Sequence, residues 1–143
     1  SDRCFVAGLL HDIGKVVLAC YFSDVFIRIL EATTQESFVE AEAKLSPVGH
    51  SDCGGFLAKR WHLPAAIQDS IVNHNHPQKA SLEPDACLVV SCADYLANLA
   101  IDRSALKPAG MVHNKELNIL CGQALIDELS GEVEAACRFF MAG

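Results

Sequence analysis

His11, Asp12 and Lys15 sit inside Phe5-Val6-Ala7-Gly8-Leu9-Leu10-His11-Asp12-Ile13-Gly14-Lys15-Val16-Val17-Leu18-Ala19, a stretch that is otherwise almost wholly apolar. Charged or strongly polar groups in such surroundings cost several kcal/mol each unless they are paired or bound to a metal. On a helix, His11 and Asp12 point to neighbouring sectors of one side and Lys15 lies one turn beyond, so the three can address one cavity. The plainer alternative is a chance neighbour pair with an imidazole held by a backbone carbonyl. What favours a site is the rest of the chain, where His50, His74 and Asp94 recur in helical settings. Imidazole mixed with carboxylate suits Fe, Mn, Zn or Ni rather than Ca or a thiolate centre.

The elements that must position these residues read as helices. Asp2 to Tyr21 carries Leu9, Leu10, Ile13, Val16, Val17 and Cys20 at three- and four-residue steps, with Gly8 and Gly14 able to admit another backbone. Ser23 to Ala32 follows, with Phe22, Phe26, Ile29 and Leu30 inward. Glu36 to Leu45 forms the next helix, and its acidic residues Glu36, Glu40 and Glu42 read as a solvated outer face. Ser46-Pro47-Val48-Gly49 breaks it before His50 to Trp61, where Gly54-Gly55 permits close packing. His50 is then either a ligand turned toward a neighbouring helix or a loop residue beside a capping Ser51 or Asp52.

Trp61, Leu63 and Pro64 predict a buried corner, followed by a helix from Ala65 to Asn73 with Ile67, Ile71 and Val72 inward. His74 extends that inward face, whereas His76, before Pro77, reads as spare, and His62 reads as a surface residue. Pro84 to Ile101 has Leu88, Val89, Cys92, Ala93, Leu96, Leu99 and Ala100 as its apolar positions, which sets Asp94 beside a buried stripe. Asp94 is either a hydrogen-bonded core residue or a partner of a metal or histidine. Two closing helices, Glu116 to Leu129 and Gly131 to Met141, show no chemistry.

The 143 residues, about half of them apolar, suffice for one domain with a core. A net charge of −7 argues against a binder of nucleic acid. No apolar run is read as long enough to span a bilayer, and Ser1-Asp2-Arg3 lacks the layout of a secretory signal, so no membrane partner is expected. The seven cysteines are scattered singly, as in a reducing compartment, and a cytoplasmic location is the expectation.

As a set, A-G-L-L-H-D-I-G-K at 7–15, A-E at 41–42, G-H then G-G at 49–55, W-x-L-P at 61–64, H-x-H-P at 74–77 and A-D-Y-L-A at 93–97 resembles the HD superfamily of metal-dependent phosphohydrolases, and within it the HDOD branch. The resemblance implies an all-α, HD-domain-like bundle of about seven to eight helices. The whole of 1–143 would then be a single HDOD/HD-like domain, lacking an N-terminal portion and forming the C-terminal part of a longer domain or protein. It implies His11, Asp12 and Asp94 as primary metal ligands. His50 and His74 would be second-metal or phosphate-side residues on the rim, and Lys15 a catalytic point charge for a phosphoryl oxygen.

Three departures bear on activity. Residues 1–10 hold no histidine to serve as the family's first ligand, position 75 is Asn where the two-metal pattern has a second adjacent histidine, and no G-Y-P follows His76-Pro77. The leading expectation is therefore a bacterial-type HDOD signalling and regulatory domain, holding a divalent metal of the Fe, Mn, Zn or Ni class weakly or not at all. Its partners would be other signalling domains or proteins, with a phosphate-containing small molecule as a candidate ligand. The alternative is a metal-dependent phosphohydrolase acting on a nucleotide or cyclic dinucleotide. A purely structural helical domain would require all five site positions to be coincidental.

Overall fold

In the computed structural model the structure describes residues 2–101. They form seven α-helices and one 3-10 turn: α1 (Asp2–Leu10), α2 (Ile13–Tyr21), α3 (Ser23–Ala32), α4 (Phe38–Leu45), α5 (His50–Arg60), α6 (Ala65–Asn73), the 3-10 turn (Pro77–Lys79) and α7 (Pro84–Ile101). No strand occurs among the described residues, so the fold is all-α. The expected helices over 116–129 and 131–141 lie outside them. The chain divides into two compact units, 1–91 and 92–143. His11, Asp12, Lys15, His50 and His74 all belong to the first unit, and Asp94 and Tyr95 to the second.

The first helix expected from the sequence is two. Asp2–Tyr21 is, by length and a mean hydropathy of 1.5, long and apolar enough to cross a membrane, which corrects the expectation that no apolar run reaches that length. The structure breaks this stretch at His11–Asp12. Asp12 leaves the helical region with φ −99° and ψ 9°, and its carbonyl accepts the Lys15 N–H at 2.9 Å, which opens α2.

One glycine sets how α2 meets α5. A Cβ on Gly14 would stand 1.8 Å from the His50 carbonyl oxygen and 2.7 Å from the Gly54 nitrogen. The two backbones therefore touch there, and no side chain fits between them. Gly8, an equal candidate by sequence, has nothing within 4 Å of its Cβ position among the described residues. The buried strip of α2 is Gly14 and Leu18, one turn apart, while Leu9, Val16 and Cys20 are exposed rather than inward. A helix apolar on most sides has no unique face, so the face that permits close approach prevails.

Ala7, Ala58, Ile67, Ile71 and Val90 form the core joining α1, α5, α6 and α7, with Val6, Leu10 and Leu63 packed on it. On α3 only Ile29 is fully buried, and Phe22 and Leu30 are exposed, contrary to the expected inner face. Val72 and Val89 are likewise exposed, and α7 buries Cys87, Val90 and Ser91 in the first unit. Tyr95 is buried in the second.

Trp61 is 51% exposed, so the corner between α5 and α6 is not built on its indole. Leu63 holds it instead. His62 takes φ 55°, its N–H donates to the Lys59 carbonyl at 3.1 Å, and the Leu63 N–H reaches back to the Ala58 carbonyl at 3.0 Å. This paired closure of a helix end swings Leu63 onto the core and leaves Trp61 outside.

Candidate metal centre

Each imidazole of the centre is fixed by what its Nδ1 touches. His11 follows the last turn of α1, and its Nδ1 lies 2.6 Å from the Gly8 carbonyl, one of the carbonyls a helix end leaves unsatisfied. His74 caps α6, with Nδ1 2.8 Å from the Ile71 carbonyl. His50 opens α5, with Nδ1 3.0 Å from both oxygens of Glu42, whose Oε1 also accepts the His50 backbone N–H at 2.6 Å. Carbonyls and carboxylates only accept, so all three Nδ1 atoms carry the proton, and a neutral ring then presents Nε2 as a lone pair.

The Nε2 atoms of His50 and His74 approach to 3.3 Å, and Asp12 Oδ1 lies 3.4 Å from the first and 3.6 Å from the second. Asp12 Oδ1 is buried with no hydrogen-bond partner among the described residues. His11 Nε2 is 3.4 Å from Asp12 Oδ2. Ligand atoms of His11, Asp12 and His74 all lie within 4.8 Å of one another. Metal–nitrogen and metal–oxygen bonds of about 2.0–2.1 Å in tetrahedral array require ligand atoms about 3.3–3.4 Å apart. The spacing and the nitrogen-rich donor set therefore fit a divalent transition metal. Among the described residues of the first unit, His11, Asp12, His50 and His74 would hold it.

Lys15 is part of the same cluster. Its Nζ donates to Asp12 Oδ2 at 2.6 Å and sits 4.7 Å from the Phe38 ring centroid, and that ring meets the edge of His50 at 5.5 Å. Burial works against a charged Asp12, but the adjoining His11 ring and the Lys15 ammonium outweigh it and hold the carboxyl well below its usual range. Burial pulls His74 down to about 4, opposed by its bond to the Ile71 carbonyl and helped by the neighbouring imidazoles. His74 is thus neutral at physiological pH, the form that can bind a metal.

Within the first unit, the metal-ligand candidates His11, Asp12, His50 and His74 are brought together. His50 and His74 are 1% and 2% exposed, at the centre of the cluster rather than on its rim. Asp94 belongs to the second unit, where its side chain and carbonyl accept from the Asn98 amide at 2.9 Å. His62 is exposed, as expected.

Glu42 is the residue sequence reasoning missed. Its place among acidic neighbours suggests a solvated face, yet it is 5% exposed and orients His50. Phe38, Ala41, Glu42 and Leu45 fall at the i, i+3, i+4, i+7 positions of one helical stripe, so the periodicity of α4 already placed Glu42 inward. A carboxylate behind a ligand histidine fixes its tautomer and raises its basicity.

Among known proteins, the family model described as HDOD domain matches residues 1–77, which include His11, Asp12, Glu42, His50 and His74. A protein of Treponema pallidum (strain Nichols), described as an uncharacterized protein, is 32% identical over 76 residues, 51% of this chain and 15% of that protein. The chain thus covers less than a fifth of that relative's length. No solved structure gives a significant match.

Proposed function

Since this chain belongs to the HDOD family, whose model covers 77 of its 143 residues, we propose that it acts as a signalling and regulatory domain built around a residual metal pocket. The observation that carries this reading is burial. A hydrolytic centre must offer its metal and a cation to a phosphate, but His50 and His74 are closed off and Lys15 is committed to Asp12 and Phe38. An ion held by His11, Asp12, His50 and His74 would clamp the α1–α2 junction, the start of α5 and the end of α6 together. That is the role of a structural or sensing metal. The ion's own chemistry, if it were exposed to substrate, would be polarisation of a phosphoryl oxygen and activation of water.

On this reading the partners are other signalling domains or proteins in a cytoplasmic setting, and the net charge of −7 speaks against nucleic acid. The side chains of Asp12 and Lys15 are 31% and 32% exposed, and this open side favours the second reading, a metal-dependent phosphohydrolase acting on a nucleotide or cyclic dinucleotide. The deciding experiment adds excess manganese or iron to the full chain and assays a generic phosphodiester and a cyclic dinucleotide. The expected result is no turnover. Turnover lost in both His11→Ala and Asp12→Ala would overturn the regulatory reading.

A further inference from the structure

Asn75 follows His74, and its Nδ2 lies 2.8 Å from His74 Nε2, 3.1 Å from His50 Nε2 and 3.2 Å from Ser51 Oγ. With both Nδ1 atoms acting as donors, His50 and His74 turn two lone pairs toward each other across 3.3 Å, with Asp12 Oδ1 beside them. Three acceptors at that separation repel one another unless a donor or a cation lies against them. Only the amino end of the Asn75 carboxamide can face these nitrogens, because its carbonyl end would add a fourth acceptor.

We infer that Asn75 is a built-in competitor for the metal: its amino group satisfies His50 and His74 in the ion-free protein and has to give up both bonds before these imidazoles can bind an ion. The inference rests on the metal-holding reading above. It gives the pocket two closed states, one held by an amide and one by an ion, so the domain stays folded when metal is scarce. The apparent affinity is lowered by the fraction of molecules in the amide-held state.

The test is a titration of the full chain with cobalt(II), followed by its visible absorption bands, in the wild type, Asn75→Ala and Asn75→Asp. Circular dichroism confirms that each variant is folded. Removing the competing amide in Asn75→Ala should tighten cobalt binding roughly tenfold, the scale set by two lost hydrogen bonds. Asn75→Asp, nearly isosteric, should tighten it at least as much, because a donor becomes an acceptor. Weaker binding by Asn75→Ala would make Asn75 a ligand through Oδ1, and unchanged binding would make it a bystander; either result overturns the inference while wild-type binding leaves the metal reading intact. If Asn75→Ala does not fold, Asn75→Asp decides alone, and binding equal to or weaker than wild type refutes the competitor. Absence of bands in all three proteins would overturn the metal-holding reading itself, and the competitor with it.

Discussion

Replacing Gly14 by alanine tests the packing that the whole centre depends on. In an exposed helix interior, Gly→Ala stabilises by about 1 kcal/mol through the unfolded chain and helix propensity. At Gly14 the new Cβ would lie 1.8 Å from the His50 carbonyl oxygen, so α2 and α5 must part by at least 1.2 Å to restore even a 3.0 Å contact. The obstacle is backbone, which no rotamer change relieves. Moving α5 also carries His50 away from Glu42 Oε1, now 2.6 Å from its N–H, or from Asp12 Oδ1 at 3.4 Å. Overpacking of this kind costs about 1–3 kcal/mol or more, which exceeds the propensity gain. The expected net loss is about 2 kcal/mol, together with weakened metal binding. Gly8→Ala is the matched control, because nothing among the described residues lies within 4 Å of its Cβ, and it should gain about 0.5–1 kcal/mol. Urea denaturation midpoints of the two variants read out the pair. If Gly14→Ala proves as stable as Gly8→Ala, the close approach of α2 and α5 is refuted.

Glu42→Ala leaves the buried His50 N–H and Nδ1–H without acceptors, so it should cost about 2–4 kcal/mol, and Glu42→Gln should lower metal affinity by about 10- to 100-fold with little loss of fold, as calorimetric titration would show. His62→Gly should raise stability by about 1 kcal/mol, since φ 55° is strained for histidine and natural for glycine; an unchanged or lower melting temperature would contradict the helix-end geometry. In ion-free protein, the unfolded chain protonates His74 at its ordinary 6.5 and the folded chain only near 4. Between those values the unfolded state binds more protons, so stability is full above pH 6.5 and falls by up to about 3 kcal/mol as pH drops toward 4. Denaturation midpoints flat from about pH 7 to about pH 4.5 would refute the buried neutral imidazole.

The adjacency of His11 and Asp12 in an apolar run was legible from the chain alone, because unpaired polar groups there are too costly to be idle. The helices among the described residues and the inward His74 followed from short-range periodicity, which depends only on backbone geometry. The helix break at His11–Asp12 did not, since apolar residues continue on both sides and only the turn geometry of Asp12 marks it. Nor did the exposed Trp61, whose place was decided by the His62 turn.

The composition of the centre was set by packing between residues far apart in the chain. Glu42 reaches His50 across the α4–α5 turn, and Asp12 meets His50 and His74 only because Gly14 lets α2 rest on the backbone of α5. A sequence reports which side of its own helix a residue takes. Which atoms then come within 3.3–3.6 Å across three helices is settled by the few close backbone contacts the small residues allow, and that belongs to the tertiary structure.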